Sequence, residues 1–278
     1  MKSQTIPIDL VDLLPVIDKQ LIQLLRSLSV DDWNRQTVAK LWKVKDVAAH
    51  LLDTNIRVMS ALRDNYQGLN PPEIRSYQDL LNYLNGLNAE WVNAMKRMSP
   101  QVLVQFLELT GPPYCAFYKS LDPFADATWS VAWAGDEVSP NWKHIAREYT
   151  EKFLHQQQIR DATGKQGIMT KEFFYPFIDT FMLGLPHTFR HVKADKGTVI
   201  QVTISSDAGG SWFIALEDTW VLKKDHQGKV AAVVEIDPHA AWKLFSKSLR
   251  PADVQDKVKI SGNHELGRQV LEMVSVMA

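Results

Sequence analysis

Two periodicities divide this chain. From Leu10 to Leu28 the residues Leu13, Leu14, Ile17, Leu21, Leu24, Leu25 and Leu28 recur at steps of three and four, which lines them up on one face of an α-helix. After Gly197 the pattern becomes short β-branched and aromatic runs, GTVIQVTISS, GGSWFIALED, TWVLKKD and KVAAVVEID, separated by turn residues. Such a change of period predicts an α+β chain of two domains, a helical bundle followed by a smaller domain built on a sheet. The polar segment His191–Gly197 is the expected junction, giving domains over residues 1–192 and 196–278.

Further helices are expected over about 44–65, about 76–98 and about 141–163, closed respectively by Gly68 with Pro71-Pro72, by Ser99-Pro100 and by Gly164. Phe173 to Phe189 reads as helix broken near Gly184 and Pro186. The stretch from Thr110 to Pro140, rich in breakers and aromatics, reads as an irregular, folded-down connection. Four long helices with such a connection before the last predict a four-helix bundle, whose core is a common place for metal sites. Beyond the fourth strand, PHAAWKLFSKSL and NHELGRQVLEMVSVM read as helices around a strand, DKVKISG, and Gly209-Gly210 reads as a hairpin turn.

Composition narrows the function. The 278 residues carry 31 basic and 32 acidic side chains, a formal charge of −1, so a basic footprint for nucleic acid is lacking. No apolar run approaches the roughly 18 residues that suggest a membrane span. The opening MKSQTIPIDLVDLLPVI is interrupted by Asp9 and Asp12, a poor secretory signal. One cysteine, Cys115, excludes an intrachain disulfide, and the expectation is a cytoplasmic protein acting on small molecules, without nucleic acid or membrane.

The chemistry-bearing residues lie on two of the expected helices. In WKVKDVAAHLLD, His50 falls to one side of the stripe Val44, Val47, Ala48, Leu51, near Thr54 and Arg57, where it is either a surface or satisfied histidine or a metal ligand. In NWKHIAREYTEKFLHQQQIRDATG, Ile145, Tyr149 and Phe153 make an apolar stripe. His144, Glu148, Glu151 and His155 fall on a different face at steps of four, three and four. Glu151 with His155 can reach one cation, and His50 from a facing helix would complete two imidazoles and a carboxylate, a ligand set that leaves positions open for water or substrate. The pair His144 and Glu148 has the same spacing, and an exposed face of Glu–His ion pairs would also produce this pattern.

DDWNRQTVAKLWKVKDVAAHLLD resembles the N-terminal region of the mycothiol-dependent maleylpyruvate isomerase family, a branch of the DinB-like metal-binding bundles, and AREYTEKFLHQQQIRDATG is similar to its second motif. The resemblance spans about residues 8 to 190 and implies His50, Glu151 and His155, not His144 or Glu148, as ligands of a divalent metal, zinc first and nickel second. It also implies a low-molecular-weight thiol as co-substrate. The segment from GTVIQVTISS to VKISGNHELGRQVLEM looks like the sterol-carrier-like domain that follows the bundle in relatives. The founding enzymes use an arginine in that domain for the substrate; here Lys243, Lys247 and Arg250 are the candidates, and Arg250 could hold a carboxylate by two parallel hydrogen bonds or simply end a solvated helix.

The expectation is therefore a metal-dependent enzyme that activates a thiol, or water, for isomerase or transferase chemistry on a small electrophile. The alternative is a metal-stabilised protein that binds a small molecule or lipid without catalysis. Trp129, Trp133 and Trp142 could wall a pocket above the metal, and Trp212, Trp220 and Trp242 could line an apolar cavity; core packing would use them equally well. Arg160 is expected to pair with Glu148 or Asp161, and Cys115 to be a loop or semi-buried thiol.

Overall fold

The computed structural model describes residues 4–68 and 71–276. The chain divides into two compact units, Met1–Thr128 with Pro140–Ile168, and Trp129–Ser139 with Met169–Ala278.

The first unit is helical. Helix α1 (Leu14–Arg26) opens on Pro15, whose fixed φ suits a first turn, and buries Leu14, Ile17, Leu21, Leu24 and Leu25 together with Asp18. Helix α2 (Val44–Val58) runs on into a π-helical turn, Met59–Arg63. Helix α3 (Tyr77–Met95) is capped by Ser76, which accepts the Asp79 N–H. Helix α4 (Pro100–Lys119) is capped likewise by Ser99, and α5 (Asn141–Thr163) stops at Gly164, whose φ of +68° is the left-handed conformation that glycine adopts without strain.

Helices α1 and α2 each pack on both α4 and α5, and that square is the bundle. Its fourth member is α4, not the preceding helix: α3 lies outside on α2 and fully buries only Leu81 and Val92. The expected irregular connection from Thr110 is therefore corrected, because residues 110–119 continue α4 straight through Gly111, Pro112 and Pro113. The prolines remove the N–H groups that would reach the carbonyls of Glu108 and Leu109. Leu109 and Pro112 are exposed, which places those carbonyls on the solvent side of the helix, within reach of water. Gly111 faces inward; a Cβ there would stand 2.2 Å from Asp18 Oδ2. Only a bare Cα lets α1 bring its carboxylate against α4.

The second unit carries helices α6 (Lys171–Phe181) and α7 (Leu185–Phe189), then strands β1 (Val199–Ile204), β2 (Gly210–Leu216), β3 (Trp220–Lys223) and β4 (Ala232–Ile236). Helix α8 (Pro238–Phe245), strand β5 (Val258–Gly262) and helix α9 (His264–Val270) complete it. The sheet order is β3-β2-β1-β4-β5, antiparallel except for the parallel β1–β4 pair, whose crossover is β2 and β3. Gly209 closes the β1–β2 hairpin, where a Cβ would meet the Ile204 carbonyl oxygen at 2.0 Å. Trp212, Trp220 and Trp242 are buried core residues, alongside Phe174, Phe177, Phe181 and Phe245. Trp212 also ties β2 to α6 by donating its indole N–H to Asp179 at 2.6 Å. Among the described residues no helix is long and apolar enough to cross a membrane.

Gly111→Ala tests the close approach of α1 and α4. The added methyl must displace the Asp18 carboxylate, and the expected loss is about 1–3 kcal/mol of unfolding free energy, read from urea denaturation.

Candidate metal centre

Helix α2 is aimed by its first turn, where the Asp46 carboxylate accepts the Lys43 N–H at 3.0 Å. Its apolar stripe of Val44, Val47, Ala48 and Leu51 faces the bundle core, which leaves His50 on the flank toward α5. That flank is covered. His50 is only 6% exposed, its ring centroid lies 4.5 Å from that of His155 on α5, and the Trp42 ring lies 4.9 Å from His50 and 6.1 Å from His155. Donor atoms of His50, Glu151 and His155 all fall within 4.8 Å of one another.

The electrostatics suit a cation. Burial first, then the charges of His155 and Arg57, hold the His50 pKa well below the ordinary histidine value, so its ring is neutral and keeps a lone pair. Its Nδ1 is buried with no hydrogen-bond partner among the described residues. His155 Nδ1 lies 2.9 Å from Gln158 Oε1; donating its proton there fixes the tautomer and turns the Nε2 lone pair toward Glu151 Oε2, 3.2 Å away. Two acceptors facing each other at that distance are reconciled by a shared cation, so these residues fit a divalent metal.

The remaining polar residues of α5 are not an exposed ion-pair face. His144 and Glu148 are 1% and 2% exposed and serve the core. Tyr114 Oη donates to Glu148 Oε2 at 2.6 Å, Arg147 pairs with the other carboxylate oxygen, and Tyr118 Oη lies 3.2 Å from His144 Nε2. Burial opposes ionisation of Glu148, but Arg147 and then His144 outweigh it and hold the carboxyl below its usual range. One turn on, Lys152 is buried, donating to Asp18 Oδ1 of α1 at 3.0 Å and Asn55 Oδ1 of α2 at 2.6 Å while its ammonium sits 4.5 Å from the centre of the Tyr114 ring.

The other sequence candidates lie elsewhere. Arg250 is exposed in the second unit, where its backbone N–H donates to Asp253 at 2.8 Å. Lys243 lies over the Trp242 ring and Lys247 takes a φ of +58°. Arg160 donates to Gln156 Oε1 and to the Gln20 and Gln166 carbonyls, while the Glu148 carboxylate is taken by Tyr114 and Arg147. Cys115 is buried within α4, not in a loop, and burial pushes its pKa up to about 11. Trp129 and Trp133 belong to the second unit, and Trp133 packs on Phe181. Trp142 belongs to the first unit and lines a groove with Ile6, Ile8 and Tyr118. The aromatic that does adjoin the imidazoles, Trp42, and the orienting Gln158 were not picked out from the sequence; the signals were an indole eight residues before one ligand and an amide three residues after the other.

Residues 14–160 match the family described as mycothiol maleylpyruvate isomerase N-terminal domain, more than half of the chain. The chain belongs to this family. Residues 188–275 match the SCP-2 sterol transfer family. Among solved structures, the chain is similar to the mycothiol-dependent maleylpyruvate isomerase, with 10% identity, 90% of this chain and 91% of that one covered, and a TM-score of 0.54. A histidine-to-alanine mutant of that enzyme matches over the same shares at 11% identity and a TM-score of 0.54. These likenesses bear out a two-part family architecture, a helical domain followed by an SCP-2-like α/β domain. No curated protein matches the chain by sequence.

Two predictions follow from the buried charges. His50 is neutral when folded but titrates near 6.5 when unfolded. Below about pH 6.5 the unfolded state binds the extra proton, so the metal-free chain loses stability as pH falls. Thermal melts between pH 7.5 and 5 should therefore fall more steeply for the native chain than for His50→Gln. Lys152→Met leaves the Asp18 carboxylate buried without a countercharge and should lower the unfolding free energy by about 3–5 kcal/mol; pairing it with Asp18→Asn should recover most of that loss in urea titrations.

Proposed function

We propose that the chain is a metal-dependent enzyme that activates a low-molecular-weight thiol as nucleophile for isomerisation of a small electrophile, with His50, Glu151 and His155 as ligands of the ion. The observation that carries this reading is the convergence of three donor groups, from two helices, within 4.8 Å. Membership of a family named for a mycothiol-using isomerase supports the thiol co-substrate and the isomerase chemistry. Zinc is the proposed ion and nickel the second choice, because imidazole and carboxylate ligands suit both.

A bound divalent ion supplies Lewis acidity at this spot, lowering the pKa of a thiol or water that reaches it. The chain's own residues prepare the place. Burial keeps His50 deprotonated, Gln158 holds the His155 tautomer, and Trp42 covers one side of both rings against bulk water. In the isomerisation the thiolate sulfur bonds to one carbon of an electron-poor double bond, and the π pair moves to the conjugated carbonyl oxygen. Rotation follows about the new single bond; the pair then returns and expels the thiolate, so no oxidant is consumed. Transferase chemistry would differ only in keeping the carbon–sulfur bond and taking a proton on the neighbouring carbon. Arg250, exposed in the second unit, is the proposed contact for a substrate carboxylate.

Elemental analysis of the purified chain should give about one divalent ion per molecule, with His50→Ala and Glu151→Gln each losing it. A thiol-conjugation screen should show turnover that depends on added thiol and stops on chelation. Full metal content in His50→Ala, or unchanged activity after chelation, overturns the reading. Displacement of a fluorescent fatty acid from the second unit without any turnover would favour a carrier instead.

A further inference from the structure

Helix α4 keeps an apolar stripe on its outer side. Val102, Phe106 and Leu109 are 38%, 42% and 69% exposed, and Pro113, four residues on, is half-buried. At roughly 100° per residue these four lie within about 60° of one another and form one narrow ridge about 16 Å long. Single exposed apolar side chains are ordinary, whereas a contiguous line of them gathers where a partner binds. Helices α1 and α2 take the inward sides of α4, so among the described residues the ridge stays open.

Three features of the ridge say what covers it. The first is spacing. The steps of four, three and four from Val102 to Pro113 read the same in both directions. A second copy laid antiparallel, about a two-fold axis midway between Phe106 and Leu109, therefore sets Phe106 against Leu109 and Val102 against Pro113. The second is charge. Glu108 and Lys119 are the charged side chains of α4, and each is held within its own chain, by Arg26 and by Asp12. The ridge thus meets its own copy without like-charge repulsion. A lipid surface would favour lysine and arginine along the edge of such a stripe, where α4 carries Gln101 and Gln105.

The third is hydrogen bonding. Pro112 and Pro113 leave the Glu108 and Leu109 carbonyls without helical donors, and a wholly apolar cover would leave those oxygens unsatisfied. Gln105 is exposed and borders the stripe. In the antiparallel pairing it stands opposite position 110 of the second copy, which is the height at which the freed carbonyls open. We infer that the outer side of α4 is a self-association face, on which two copies of the chain pack ridge to ridge through Val102, Phe106, Leu109 and Pro113. Gln105 of each copy then donates its amide to the freed carbonyls of the other. One helix ridge is smaller than the roughly 800 Å² per partner of a standard interface, so the dimer is a reversible one that forms as concentration rises.

Sedimentation velocity of the full chain over a hundredfold range of concentration tests this. The weight-average mass should climb from that of one chain toward twice that value. Leu109→Glu sets a carboxylate against the apolar Phe106 of the second copy and should weaken association at least tenfold, with the melting temperature unchanged because the position is on the surface. Phe106→Lys should do the same. Joined in one chain, the two substitutions bring a lysine opposite a glutamate on both sides of the axis and should recover most of the loss, a result specific to antiparallel pairing. Gln105→Glu exchanges a donor for an acceptor and should weaken the dimer severalfold. The mass of a single chain at every concentration overturns the proposal, as does a dimer indifferent to the single substitutions or a double variant no better than either. Pelleting of a monomeric chain with phosphatidylcholine–phosphatidylglycerol vesicles, lost in Leu109→Glu, also overturns it and assigns the stripe to a lipid surface.

Discussion

A buried lysine sets the register of the helical unit. Lys152 brings an ammonium group into the bundle, where it would be strongly destabilising unless surrounded by acceptors. It finds them on two other helices, Asp18 of α1 and Asn55 of α2, with the Tyr114 ring of α4 beneath it. Asn55 in turn donates to Thr110 of α4, so all four helices of the bundle meet at this one charge. A slide or rotation of α5 by one residue would strand the ammonium and the carboxylate together, whereas an all-apolar seam would tolerate such a shift at modest cost. The network therefore fixes which side of α5 faces α2.

That choice of side is what makes a centre of three residues otherwise separated in the chain. Glu151 precedes Lys152 and His155 follows it by three residues; once the lysine is pinned between α1 and α2, these two can turn only toward the flank of α2 that carries His50. The neighbours then specialise. Trp42 presses against both imidazoles and Gln158 orients one of them, while His144 and Glu148, of identical spacing, are taken into the tyrosine-lined core and are not available to the same cation. The polar interior of α5 does two jobs at different heights, structural cross-linking nearer its start and ligand presentation further on.

Much of this was legible in advance. The steps of three and four from Leu13 to Leu28, the helical run from Ser76 and the β-branched runs after Gly197 are local signals, and they correspond to α1, to the start of α3 and to β1 through β4, whereas Ser99-Pro100, read as closing α3, also opens α4. The trio His50, Glu151 and His155 could be suspected because two of its members share a helix at four-residue spacing and His50 stands to one side of the apolar stripe on another; the family resemblance then favoured this pair over His144 and Glu148. The route of α4 was hidden, since Gly111, Pro112 and Pro113 read as a stop in any local reading. They are tolerated only because the freed carbonyls face solvent and the glycine receives a carboxylate from another helix, and neither fact is written in the neighbouring residues.

The amino-acid order by itself determined where helices begin, where the period changes from helix to strand, and which imidazoles and carboxylates share a helical face, because each depends on contacts within a few residues. Tertiary structure decided which of two equivalent Glu–His pairs meets His50, which helix completes the bundle, and that the polar face of α5 points inward. Those outcomes depend on where charges far apart in the chain find counterparts, and a buried charge is settled by the partner that reaches it, not by its neighbours in sequence.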